Sequence, residues 1–257
     1  MSRTDLSFAY AQSRLQARLG ARPAAADWQQ LEATRDLGAL LQVVRGGPLA
    51  RWTARLPARA ALHEIERQLR DEWRDAVTEV ASWQPAHWRE ATLWMRWISY
   101  LPALQKLARG GRAPAWMRAD VVLGPIVARE PRERVAALAG TPLAPLAAGF
   151  VAPHDVARSW ALNWQSLWPA APAARRPLER LLATMRTHRA RLASAPAGAS
   201  SRDALQSVER DLERILRRNP LSPAATAAFV CLMMLELQRL RGLLAVRSLR
   251  DAALEAA

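Results

Sequence analysis

Along most of the chain, apolar residues recur at spacings of three and four, the period of an amphipathic helix. Residues favouring strands are sparse, and Ala, Leu, Arg, Gln and Glu are plentiful. The pattern predicts an all-α fold of about ten helices. A first helix over Leu6 to Leu19 stops at Gly20. A second over Ala24 to Val44 stops at Gly46-Gly47, where glycine is expected in the left-handed cap, and Pro48 blocks continuation. A third over Ala58 to Ser82 carries Leu62, Ile65, Leu69, Trp73, Val77 and Val80 as its core-facing stripe, with Arg and Glu outside. Trp88 to Tyr100 and Pro102 to Arg109 read as a bent pair, broken at Pro102 and closed by Gly110-Gly111.

Frequent prolines from Pro114 to Pro177 predict short helices joined by turns, among them Glu133 to Ala139 and Asp155 to Trp168. Arg175 to Ala193 is the next helix, and 194–200 (SAPAGAS) has the composition of a flexible linker. Ser200 and Asp203 then have capping-box spacing ahead of the stripe Leu205, Val208, Leu212, Ile215 and Leu216, which Asn219-Pro220 ends. Ser222 is the expected cap of a last helix with Pro223 at its first position, running to about Leu249. No fixed-period repeat marks a solenoid. The chain reads as one helical domain, 1–257, divisible into modules 1–112, 113–193 and 201–257.

Composition changes this picture little. With 51% hydrophobic and 23% charged residues and a mean hydropathy of -0.13, the 257-residue chain belongs with folded, soluble proteins. The longest apolar run, Phe229 to Leu235, is far short of the ~18 to 20 residues that span a bilayer, and the polar opening MSRTDLS lacks a signal-peptide core. A cytoplasmic location is therefore expected. The lone Cys231 sits inside the apolar run, so disulfides within the chain and cysteine-rich metal sites are excluded. A formal charge of +14 would ordinarily point to nucleic acid or another acidic surface. Here it is diluted: Lys106 is the only lysine, and the arginine excess accompanies equal enrichment in Ala, Leu and Trp.

Catalytic patterns are missing from the sequence. His63, His87, His154 and His188 are scattered without metal-ligand spacing and read as surface or capping residues. His154-Asp155 reads as a helix start. Neither Gly46-Gly47 nor Gly110-Gly111 leads into a phosphate-binding lysine, and no G-x-S-x-G elbow or S-x-x-K pair occurs. The expectation is a non-enzyme without cofactor or metal. Trp160, Trp164 and Trp168 at i, i+4 and i+8, and Trp94 with Trp97 close to Trp88, have helical spacing, which favours core packing over base stacking, with arginines laid across the rings.

The opening Phe8-Ala9-Tyr10-Ala11-Gln12-Ser13-Arg14-Leu15-Gln16-Ala17-Arg18 leads into Trp28, Leu31-Glu32, Asp36-Leu37 and Leu40-Leu41, then a helix with Ile65-Glu66 and Leu69. Near the other end stands Leu235-Glu236-Leu237-Gln238-Arg239-Leu240-Arg241-Gly242-Leu243-Leu244. Together these segments resemble the C/d family of the A/V-type (archaeal/vacuolar-type) rotary ATPases, the rotor-linking central-stalk component of the archaeal, bacterial and vacuolar enzymes. The first is similar to that family's tyrosine- and arginine-bearing opening. The second is similar to its closing E-x-x-N-L-R-x-I helix, with Arg239 in place of the asparagine. The resemblance implies a funnel of three similar helical modules on the membrane rotor ring, receiving the central stalk. It implies a coupler and not a catalyst, peripheral to the cytoplasmic membrane, with rotor-ring and stalk subunits as partners. Tyr10, Arg14, Arg18, Glu236 and Arg241 are then the candidate structural and partner-contact residues.

Glu236 and Arg241 lie five residues apart on one helix, so they do not face each other and each needs a partner from elsewhere. Arg14 is the candidate for Glu236, a clamp between the two ends, with solvated surface charges as the alternative. Two other functions stay open at this level. Charge alone supports a basic helical nucleic-acid binder, which the helical aromatics do not favour, and composition alone supports a helical scaffold unrelated to ATPases.

Overall fold

The computed structural model describes residues 7–113, 115–127, 129–151, 154–194 and 201–255. Helices make up 79% of it, and among the described residues there is no strand, so the class is all-α, with ten of its fourteen α-helices seven residues or longer. No helix is long and apolar enough to cross a membrane. In chain order the helices are α1 (Ala9–Gly20), α2 (Ala25–Ala33), α3 (Leu37–Arg45), α4 (Ala50–Thr53), α5 (Leu62–Ser82), α6 (Ala86–Trp94), α7 (Leu101–Ala108), α8 (Ala115–Ala119), α9 (Gly124–Val127), α10 (Arg134–Ala139), α11 (Val156–Ser166), α12 (Pro172–Ser194), α13 (Ser201–Arg218) and α14 (Pro223–Glu255). Short 3-10 stretches cover Met95–Tyr100, Pro131–Glu133 and Ala144–Phe150. The expected linker and the Ser200 capping pair fall on 195–200, outside the described residues.

The chain forms two compact units, each assembled from three separate stretches. Unit 1 comprises 1–22, 76–95 and 168–239, and unit 2 comprises 23–75, 96–167 and 240–257. Neither coincides with a sequential module 1–112, 113–193 or 201–257.

In unit 1 the first turns of α14 are the centre. Every residue from Pro223 to Met234 is buried, as expected of a helix apolar on all sides. Ser222 caps it, its hydroxyl accepting from the Ala225 N–H at 3.3 Å, with Pro223 next where its missing N–H costs no bond. The preceding corner uses Leu221 at φ +55, a strained value for a bulky side chain, and the Gln12 side chain secures it by accepting the Leu221 N–H at 3.0 Å. Also buried in this unit are Ala11 and Leu15 of α1, Val77 and Val80 of α5, Trp88 of α6, Leu178 and Leu181 of α12, and Val208, Leu212 and Leu216 of α13. Leu205, expected in the α13 stripe, is exposed.

In unit 2 the stripe Ile65, Leu69 and Trp73 of α5 is fully buried, and the Trp73 indole N–H donates to the Arg96 carbonyl at 2.9 Å. The single helix expected over Ala24 to Val44 is two helices. Thr34 is extended and Asp36 caps α3, its carboxylate accepting from the Ala39 N–H at 2.7 Å; an aspartate one turn ahead of an apolar stripe gains more as a cap than inside a helix. The end of α14 seals the break, with the Arg247 guanidinium donating to the Glu32 and Thr34 carbonyls and the Asp251 carboxylate accepting the Leu37 N–H. α3 ends without a left-handed glycine: Gly46 has φ -82 and continues a right-handed turn, its N–H bonded to the Gln42 carbonyl. The left-handed glycine is instead Gly110, at φ +77, past the end of α7 at the expected close of that helix. α5 begins four residues later than expected, at Leu62, where the Glu64 carboxylate accepts the Ala61 N–H.

The proline-rich stretch folds as expected into short helices, with α11 packed closely on the 3-10 turn at Ala144–Phe150. A Cβ at Gly149 would lie 2.6 Å from the Val156 Cα, so that approach requires glycine. Asp155 caps α11 as expected, and His154 beside it is held at φ +56. Gln105 secures this residue, donating to the His154 carbonyl and accepting from the Val156 N–H.

Candidate functional site

Two of the residues marked by the terminal segments, Glu236 and Arg241, lie in charged clusters, one in each unit. In unit 1 the centre is Arg22, in the bend that follows α1. Each of its three guanidinium nitrogens takes a different carboxylate: Nη2 donates to Glu209 at 2.6 Å, Nη1 to Glu213 at 3.1 Å, and Nε to Glu236. Glu209 and Glu213 are one turn apart on α13, and Glu236 projects from α14, so one planar fork ties the chain after α1 to two other helices. The Arg22 and Glu236 side chains are only 17% and 11% exposed, which makes their pair the buried heart of the cluster.

Three carboxylates converge on Arg22, and the exposed Arg217 also lies 3.5 Å from Glu213. Burial would lower the Arg22 pKa, but the hydrogen bonds and charges of Glu236 and Glu209 outweigh it and raise it. Glu236 is pushed up: burial dominates, Glu209 adds repulsion, and Arg22 offsets only part of this. Glu236 thus ionises less readily than an ordinary carboxylate.

This geometry corrects the expected clamp. Glu236 is paired with Arg22, not Arg14. Arg14 lies on the outer face of α1, 3.9 Å from Glu79 of α5, with its guanidinium 5.2 Å from the centre of the Trp83 ring. Arg18, one turn on, donates to the same Glu79 at 2.6 Å. Both arginine side chains are more than 40% exposed, so these pairs are weak surface contacts. Tyr10 is 61% exposed and belongs to neither cluster.

Arg241 also finds its partner away from its own helix. In unit 2 its Nη2 lies 2.6 Å from Glu66 Oε1, while Arg70 donates to Glu66 Oε2 at 2.6 Å and to the Glu66 carbonyl at 2.7 Å. Arg70 in turn lies over Trp116, 3.7 Å from the ring centre. Burial would raise the Glu66 pKa, but the hydrogen bonds and charges of Arg241 and Arg70 prevail and hold it below the ordinary carboxylate range. The two glutamates are therefore opposites. Glu66 has two cations and is stabilised as an anion; Glu236 shares one cation with two rivals and is not.

Sequence reasoning passed over Arg22, Glu79, Glu209 and Glu213. Arg22 sits in a bend before Pro23, where no periodicity singles it out. Glu209 and Glu213 did carry a signal: two acids at i, i+4, on a face of α13 beside the buried Val208 and Leu212.

The tryptophans pack as their spacing indicates. Trp160, Trp164 and Trp168 are all at most 7% exposed, and the first two rings stack with centroids 5.4 Å apart. Arginines cross several rings, among them Arg51 over Trp52, Arg96 over Trp97 and Arg175 over Trp168. One histidine departs from the surface expectation: His188 is buried, with Nε2 2.9 Å from Asp211. Among the described residues no group of three or more His, Cys, Asp or Glu side chains is arranged to hold a metal. No family model matches the sequence, and neither a curated protein nor a solved structure matches it at a significant level.

Proposed function

We propose that the chain is a non-catalytic coupling subunit of an A/V-type rotary ATPase, linking the membrane rotor ring to the central stalk at the cytoplasmic face. The reading begins from the resemblance of the opening segment through Arg18 and the closing segment around Glu236 and Arg241. The observation that carries it is the Arg22 cluster, which fastens the end of the opening helix to the closing helix and to α13 through one guanidinium. A part that transmits torque must resist the separation of its helices. Directional, partly buried ion pairs do so better than apolar contact, which slides at little cost. Rotation by such a component needs no bond made or broken, so no cofactor enters, and its attachment to the membrane is through its partners.

The test is recovery of the tagged protein from native membranes after mild solubilisation. Rotor-ring or stalk subunits in the eluate, retained through a salt wash, support the proposal. Recovery of the chain alone, or with nucleic acid, overturns it.

A further inference from the structure

The helices α12 and α13 of unit 1 pack side by side and leave between them an open groove of about 820 Å³. Four arginines line it: Arg180 and Arg191 on α12, Arg214 and Arg218 on α13. Its one carboxylate, Asp211, is already engaged, accepting from Arg214 and lying against His188 Nε2. Those contacts hold the Asp211 pKa low, the His188 hydrogen bond contributing most. Among the described residues Arg180, Arg191 and Arg218 make no ion pair, and all three are exposed. The groove thus presents cationic forks without carboxylate partners among the described residues.

The spacing indicates what would fill it. Arg180 and Arg191 are eleven residues apart on one face of α12, about 16 Å along the axis at ~1.5 Å per residue. Guanidinia spread over three turns do not converge on a single phosphate. They match a second helix lying in the groove with acids at intervals of three and four residues. The α12 side permits a close approach, since Ala183, Thr184 and Thr187 line it with small side chains, and the Thr187 hydroxyl donates to the Ala183 carbonyl at 3.0 Å. A single-stranded nucleic acid would call for rings to stack on, and no Trp, Tyr or Phe lines the groove.

We infer that the α12–α13 groove is a docking site for an acidic amphipathic helix of a partner protein, held by Arg180, Arg191 and Arg218. Carboxylates pair bidentately with such forks, and a helix carrying its acids on one face meets all of them at once. The inference uses only side chains of this groove and stands whether or not the partner is a rotary-ATPase component.

The test uses the full-length chain and a fluorescein-labelled, alanine-based helical peptide with glutamates at positions matching Arg180 and Arg191, read by anisotropy. The expected results are saturable binding of the glutamate peptide, none of its glutamine counterpart, and a roughly tenfold loss of affinity in R180Q/R191Q with its circular dichroism unchanged. R218Q, a single exposed change, provides an independent reading, with a smaller loss expected. Failure of the glutamate peptide to bind, equal binding by the variants, or tighter binding of a single-stranded oligonucleotide through the same arginines would each overturn the inference.

Discussion

Replacing Arg22 with methionine removes a guanidinium while preserving most of its apolar stem. It leaves Glu236, with a side chain 11% exposed, without the guanidinium that joins it to Glu209 and Glu213. Removing one partner of a buried pair costs about 3 to 5 kcal/mol, since the remaining charge is stranded out of water. For a chain of 257 residues, each kcal/mol moves the melting temperature by about 2 to 4 °C. R22M should therefore melt between about 6 and 20 °C below the wild type at pH 7.5. The pH dependence gives the cause. A carboxylate whose folded pKa is raised destabilises the fold above that pKa, and the penalty fades as pH falls toward the ordinary value of 4.5. The R22M deficit should accordingly shrink on going from pH 7.5 to pH 5, and R22M/E236Q, in which the stranded charge is gone, should recover a large part of the loss at pH 7.5. Differential scanning calorimetry across this range is the assay. A melting temperature within about 1 °C of wild type, the behaviour of a solvated surface pair, would refute the reasoning.

Glu66 should behave with the opposite sign. Its folded pKa is lowered, so its contribution is present above the ordinary value of 4.5 and is lost as pH falls below it; E66Q should cost about 1.5 to 3 kcal/mol at pH 7 and flatten the acid limb of the stability profile, as followed by urea unfolding. R14Q should change stability by less than about 0.5 kcal/mol, since its partner Glu79 keeps Arg18; a loss comparable to that of R22M in the same experiment would restore Arg14 to the anchor. Burial pushes the Cys231 thiol up to about 12, so it should resist iodoacetamide in the native protein and react fully in guanidinium chloride, as read by mass spectrometry; rapid native labelling would mean that α14 is accessible.

The helical class and most helix ends were legible because they depend on local chemistry. The stripe of α5, the cap at Ser222-Pro223 and the stops at Gly20 and Gly110 are read from residues within a turn of one another. The break between α2 and α3 was less legible, because Thr34 to Asp36 lie inside a continuous apolar period, and the Asp251 and Arg247 contacts that seal the break come from the far end of the chain. The candidate site was half visible for the same reason. That Glu236 and Arg241 each required an outside partner followed from their separation on one helix, and both have one. Which partner they have depends on tertiary placement: Arg14 faces Glu79 and solvent, whereas Arg22, just past the end of α1, is free to aim all three nitrogens inward. Burial of the Trp160, Trp164 and Trp168 edge was legible in its spacing, whereas burial of His188 was not, since a polar residue near the end of a basic helix carries no sign of the Asp211 that receives it.

Ion uptake by membrane vesicles tests the proposed coupling role most directly. In vesicles from cells lacking the chain, ATP hydrolysis by the catalytic head should persist while ATP-driven ion uptake collapses, and adding back the purified protein should restore uptake. Undiminished uptake in its absence, or loss of hydrolysis by the isolated head, would contradict the account.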